Sequence, residues 1–231
     1  MIRLPDPNTY EDPIRYFRDS HALIILQINR LEKLVTQAET GDPIQSIQTD
    51  SGWVELLEFL VKVAPIHEKD EELALFPLVF KKLPHVGFQE SGTPIRFIHE
   101  QHEIMQAHSI ELLGFWKKML EQGSMTQDEV SRFILGAKEL VAIYREHIRR
   151  ENEIIYVTAN DELLTPFERA AIMKEIREHH SKQIITSVFD FEAPVFSDTS
   201  YKPVYVTEES EDAISEIVTG EDNLEDDDEV E

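Results

Sequence analysis

Two segments carry most of the information in this chain: His67-Glu68-Lys69-Asp70-Glu71-Glu72-Leu73-Ala74-Leu75-Phe76 and His147-Ile148-Arg149-Arg150-Glu151-Asn152-Glu153-Ile154-Ile155-Tyr156. In each, a histidine stands four positions before a glutamate. On an α-helix that spacing is about 40° of rotation and about 6 Å of rise, so both side chains of a pair point the same way. Apolar residues follow each glutamate and end in an aromatic, which makes the two segments look like copies of one unit.

Around these pairs the apolar residues recur in steps of three and four, the period of a helix with one buried face. The first such line is Ile14, Phe17, His21, Ile24, Ile28, Leu31 and Val35. The second is Trp53, Leu57, Leu60, Ala64, His67, Glu71 and Ala74. Ile95, Ile98, His102, Met105, Ser109, Leu112, Trp116 and Met119 form a third, and Phe133, Ala137, Leu140, Tyr144, His147, Glu151 and Ile154 a fourth. A histidine interrupts every line, and a glutamate interrupts two.

The breaks between the lines carry helix punctuation. Asp12-Pro13 and Thr93-Pro94 read as an N-cap followed by proline at the first helical position. Thr126 with Glu129, and Thr165-Pro166 with Glu168, read as capping boxes. Gly41-Asp42-Pro43, Gly87 to Pro94 and Gly123-Ser124 interrupt the pattern. Helices are expected over 12–38, 50–82, 94–121, 126–158 and 165–182. Long helices joined by short connections pack as antiparallel neighbours. The expected fold is all-α: an up-down-up-down four-helix bundle with a short fifth helix packed outside it. Pro65 falls inside the second helix and should kink or split it.

The domain reading is a metal-binding bundle over 12–160, an additional helix within 161–186, and an extended segment with an acidic tail over 187–231. Residues 207–231 hold 13 Asp or Glu and no Lys or Arg, so this tail is expected to be disordered and solubilising. Phe189, Phe191, Pro194, Phe196 and Pro203, just ahead of it, show no clear period.

The whole chain of 231 residues has 22 Lys or Arg against 46 Asp or Glu, a net charge of −24. That excess argues against nucleic acid or an anionic membrane as partner. Without cysteine, thiolate zinc sites, iron–sulfur clusters and Cys nucleophiles are excluded. The N-terminus lacks the apolar core of a secretory signal, and no segment approaches about 20 apolar residues. A soluble, cytoplasmic protein is the expectation. No Gly-rich phosphate loop or Gly-x-Ser-x-Gly elbow occurs, and His99-Glu100-Gln101-His102 is one residue too short for a His-Glu-x-x-His zinc pattern.

In a bundle of this kind His21, His67, His102 and His147 come to one level with Glu71 and Glu151. Burying these groups unpaired is expensive, and cations relieve the cost. Imidazole suits iron, zinc, copper and manganese, and a carboxylate can bridge two cations. Two irons with two glutamates between them and neutral imidazoles at the ends, with or without a bridging oxide or hydroxide, is the chemically sensible reading.

With these residues in hand, the chain resembles the hemerythrin-like (HHE) cation-binding domain family. The resemblance covers about 12 to 160 and rests on His21, the run from His67 to Pro77, the segment Glu100-Gln101-His102-Glu103, and the run from His147 to Glu151. It implies that His21, His67, His102 and His147 are terminal iron ligands and that Glu71 and Glu151 bridge the metals. It implies non-haem di-iron binding of O2 or NO, or roles in oxygen sensing, iron sensing and repair of nitrosative or oxidative damage. Five-histidine members carry a further histidine one turn after the helix-three ligand, where this chain has Gln106. His99, Glu68 or a water are the alternatives for that position.

Three functions follow for comparison. The first is a binding or sensing protein for a small diatomic ligand, with no catalytic residues. The second is a di-iron enzyme that reduces NO or O2 or supplies iron to damaged iron–sulfur sites. The third is a metal-free helical interaction module. Ferritin-like oxidases use Glu-x-x-His, and no histidine here has glutamate three residues before it. Tyr144, one turn before His147, is expected to pack in the core beside the site. Glu68 is expected on a solvated face, His85 and His108 at the surface, and His179-His180 at a solvent-facing helix end.

Overall fold

Each apolar line forms a helix because only a coil of that period brings its members to one side. A computed structural model describes residues 2–40, 52–83, 94–123, 125–159 and 163–182. The helices are α1 (Pro13–Thr40), α2 (52–82), α3 (Pro94–Gln122), α4 (127–158) and α5 (Pro166–Lys182). A single 3-10 turn, Pro7–Thr9, precedes them. Among the described residues there is no strand. None of their helices is long and apolar enough to cross a membrane. The Gly41–Pro43 and Gly87–Thr93 breaks, His85, the segment over 187–206 and the acidic tail lie outside the described residues.

The caps match their sequence signals. The Asp12 carboxylate accepts from the amide of Ile14 at 3.2 Å. Thr126 and Glu129 form a reciprocal capping box at the start of α4. Thr165 and Glu168 do the same for α5, with bonds of 2.8 and 3.3 Å. Gly123 closes α3 with φ at 69°, a conformation that favours glycine, and its amide bonds the Met119 carbonyl.

Pro65 neither splits nor ends α2. A π turn at Phe59–Val63 precedes it, and the amide of Ala64 bonds back to Phe59, one residue further than in an α-helix. The extra residue shifts the ladder just where the proline cannot donate. Pro77 follows a second π turn at Glu71–Leu75, and a third occupies Glu151–Ile155 of α4. The last one advances the buried face by one residue. Ile155 and Tyr156 are buried, while Ile154, expected in the core line, is half-buried.

On α1 and α4, Glu39 pairs with Lys138, Glu32 with Arg145, and His21 with Tyr156. Positions thus rise along one helix as they fall along the other. The two ion pairs are exposed and add little stability. Burial adds far more, at about 1.5 to 3 kcal/mol for each large apolar side chain.

Two apolar clusters result. One gathers Ile28, Leu31, Trp53, Leu60, Trp116 and Phe133, with Trp53 and Phe133 meeting edge-on at 5.0 Å. The other gathers Phe17, Leu75, Phe76, Ile98, Ile155 and Tyr156. Helix α5 buries one side against the rest, supplying Ile172, Met173 and Ile176 to this second cluster together with Ile14 and Phe17. The histidines fall at the junction of the two clusters. His21 lies between Phe17 of one and Ile24 of the other, and His102 lies between Ile98 and Met105.

Candidate metal centre

The α-helical turns ending at Glu71 and Glu151 set the first relationship. The amide of Glu71 bonds the His67 carbonyl, and that of Glu151 bonds the His147 carbonyl, so each His–Glu pair sits on consecutive turns of one face. Helices α1 and α3 bring His21 and His102 to the same level. All six side chains are buried.

They fall into two overlapping groups. His21, His67, Glu71 and Glu151 form one, and Glu71, His102, His147 and Glu151 form the other, with the donor atoms of each group all within 4.8 Å of one another. Both glutamates belong to both groups. His21 Nε2 lies 2.9 Å from Glu151 Oε2, and His147 Nε2 lies 3.1 Å from Glu151 Oε1. His67 Nε2 and His102 Nε2 lie 3.7 and 3.6 Å from Glu71 Oε2.

Proximity is not pairing here. Both ring nitrogens of His67, Glu71 Oε2 and both Glu151 oxygens are buried without a hydrogen bond. Buried polar atoms are rarely left so. His67 Nε2, Glu71 Oε2 and the two Glu151 oxygens lie together in the cluster, where a cation would satisfy them, and the nitrogen and oxygen donors suit first-row transition metals. The residues present therefore fit a metal centre.

The remaining ring nitrogens are held from outside. Asn152 Oδ1 is 3.3 Å from His21 Nδ1, Glu72 Oε1 is 2.9 Å from His102 Nδ1, and Gln101 Oε1 is 3.2 Å from His147 Nδ1. Such partners fix the tautomer and direct the free nitrogen inward. Aromatic rings complete the walls. Tyr156 stacks on His21 at 5.0 Å, and Phe76 lies parallel to His102 at 6.2 Å. The Tyr156 hydroxyl also donates to Glu71 Oε1 and lies 3.2 Å from His21 Nε2.

Burial dominates the electrostatics. It holds His67 and His147 below the usual imidazole range, reinforced for His67 by His21. Burial and then the neighbouring Glu151 push Glu71 well above the ordinary carboxylate range. Against burial, the imidazoles of His147, His102 and His21 hold Glu151 well below it. Also against burial, contacts with Glu151 and Glu72 raise His102.

The other sequence expectations divide. Gln106 is exposed. His99 lies outside both inner groups, with its Nδ1 2.8 Å from Glu72 Oε1. Glu68, expected on a solvated face, is buried, because α1, α3 and α5 all pack against this part of α2. Burial pushes its carboxyl up to about 7, and Tyr144 Oη donates to it at 3.4 Å. His108, expected at the surface, is buried because the inward arc of α3 widens to take in 108–110. His179 and His180, expected to face solvent, both reach Asp70, at 2.5 and 2.7 Å. Two adjacent helical residues point apart, but one uses Nδ1 and the other Nε2, and this difference in reach lets both meet one carboxylate.

Sequence reasoning missed Asn152, Glu72, Gln101 and the Tyr156 hydroxyl as supports of the cluster. The repeat held the signal for three of them. The residue after each glutamate, Glu72 or Asn152, holds a histidine from a neighbouring helix, and the aromatic five positions on, Phe76 or Tyr156, covers that same histidine.

No curated protein and no solved structure matches the chain. The family model of the Hemerythrin HHE cation binding domain matches residues 12–159, a span that contains all six residues of the cluster. The chain belongs to the hemerythrin HHE cation-binding domain family.

Proposed function

We propose that the protein is a non-haem di-iron protein that binds or senses O2 or NO. His21 and His67 would hold one ion, His102 and His147 the other, and Glu71 and Glu151 would serve both. One observation supports this above the rest: two groups of four donors share the same two carboxylates, and His67 Nε2, Glu71 Oε2 and both Glu151 oxygens among them lack hydrogen bonds. In this reading the four long helices form an antiparallel up-down-up-down bundle over 12–160, with the additional helix within 161–186 beside it. The protein acts in the cytoplasm on a diatomic partner, with neither nucleic acid nor membrane involved.

Iron bound there supplies reversible, redox-active coordination of a diatomic molecule. The chain's own residues prepare the place. Asn152, Glu72 and Gln101 orient the rings, which removes rotational freedom before any ligand arrives. Phe17, Phe76 and Tyr156 wall the cluster with apolar surface that excludes water. Tyr156 Oη commits its single proton to Glu71 Oε1 and so holds that carboxylate in place. The metal-free interaction module is disfavoured because it leaves five buried donor atoms unsatisfied for no return.

The test is spectroscopic. Protein loaded anaerobically with Fe2+ is mixed with NO or O2 and followed in the near ultraviolet and visible. New charge-transfer absorption that reverses when the gas is removed supports binding. Colour that decays with product release supports the enzyme instead, and the absence of any change contradicts both.

A further inference from the structure

A third cluster of metal-binding side chains lies outside the buried pair. Glu72, His99 and His102 bring one carboxylate oxygen and two imidazole nitrogens within 4.8 Å of one another. Glu72 Oε1 stands 2.8 Å from His99 Nδ1 and 2.9 Å from His102 Nδ1. The His99 and Glu72 side chains are 41% and 27% exposed, whereas His102 is 4% exposed. The cluster thus runs from solvent to the edge of the buried centre.

His102 belongs to both places. Its Nδ1 faces Glu72, and its Nε2 lies 3.6 Å from Glu71 and 3.5 Å from Glu151. The opposite half of the repeat shows that orientation alone does not require this chemistry. There His21 has its Nδ1 beside the neutral amide of Asn152, at the position equivalent to Glu72. A neutral acceptor suffices to hold a ring. The charged carboxylate and the second imidazole of the first half exceed that need.

We infer that Glu72, His99 and His102 Nδ1 form a third cation site, specific for divalent transition ions, from which the buried pair is loaded. Two imidazoles and one carboxylate match Fe2+, Co2+ or Zn2+ rather than Mg2+ or Ca2+, which take all-oxygen sites. The exposed positions complete the coordination with water. Transfer inward is then a ligand exchange at His102: the ion trades Nδ1 for Nε2 as the ring proton passes the other way, and when the outer and inner sites are both filled the ring bridges as an imidazolate, its proton released to solvent. The loading role rests on the di-iron reading; the outer site itself does not.

The experiment uses the full chain, stripped of metal by chelation, with Co2+ as the probe under anaerobic conditions. His99→Ala is the discriminating variant, because His99 is half-exposed and belongs to neither buried group. Binding is counted by equilibrium dialysis, and filling is timed by stopped-flow visible absorption. Wild type is expected to bind three Co2+ and His99→Ala two, with filling of the buried pair slowed about tenfold. Equal stoichiometry and equal rates in the two proteins overturn the proposal. Loss of the third equivalent with an unchanged rate keeps the site and overturns its role in loading. Failure of the di-iron reading looks different: wild type then binds a single Co2+, which His99→Ala removes. Binding of none overturns both.

Discussion

Asp70 and Glu71 are consecutive, both fully buried, and face opposite partners. Glu71 turns toward the four histidines, while Asp70 turns toward α5 and meets His179, His180 and, at 3.1 Å, the hydroxyl of Tyr16. One turn of α2 therefore carries both the centre of the metal cluster and the anchor of the C-terminal helix. Asp70→Ala leaves three polar groups without their shared acceptor. It is expected to cost about 2 to 4 kcal/mol in urea unfolding and to raise amide exchange in α5. Unchanged exchange in α5 would show that its apolar contacts suffice.

At the aromatic position the two halves of the repeat differ by one oxygen, since Phe76 covers His102 and Tyr156 covers His21. Tyr156→Phe keeps the stacking and removes the hydrogen bond to Glu71. The expected cost is about 1 to 2 kcal/mol of stability, with metal content unchanged. If the variant purifies without metal, the hydroxyl belongs among the metal-binding groups.

The helices and the shared inward direction of the six clustered side chains were legible because each rests on local periodicity. A four-residue spacing fixes direction on a helix whatever packs against it, and four interrupted lines are hard to produce by chance. The π turns were not legible. Nothing local marks the extra residue at Glu151–Ile155, and so the periodicity assigns Ile154 to the core where Ile155 and Tyr156 serve. The environments of Glu68, His108, His179 and His180 were missed for a related reason. Their burial depends on which helices arrive from elsewhere, and α5 in particular is placed by contacts far apart in sequence.

Metal binding should release protons. In the metal-free protein Glu71 is raised by burial and by Glu151, and His102 is raised by its carboxylate neighbours despite burial. Both shifts favour the protonated form of the metal-free cluster, which metal ligation opposes. Apparent affinity is expected to fall as pH falls below 7, with roughly one to two protons released per chain on loading. Calorimetry in buffers of different ionisation enthalpy measures the number; a value of zero would mean that the cluster is already deprotonated.

Stability and metal binding should separate in the first apolar cluster. Phe133 is fully buried against Trp53, among residues distinct from the six donors. Phe133→Ala is expected to cost about 3 to 5 kcal/mol while leaving metal stoichiometry intact at low temperature. Thermal unfolding and metal analysis of the same sample check both halves.

The sharing of Glu71 and Glu151 makes the central claim countable. Iron content per chain should be measured after anaerobic loading of wild type, His67→Ala, His147→Ala and Glu151→Ala, each first shown to be helical by circular dichroism. Not counting the ion at the outer Glu72–His99 site, which is measured as the difference between each protein and its His99→Ala form, the di-iron arrangement predicts about two irons in wild type, about one in each histidine variant and almost none in Glu151→Ala, because that carboxylate serves both groups. One iron in wild type, or a Glu151→Ala protein that still holds two, would contradict it.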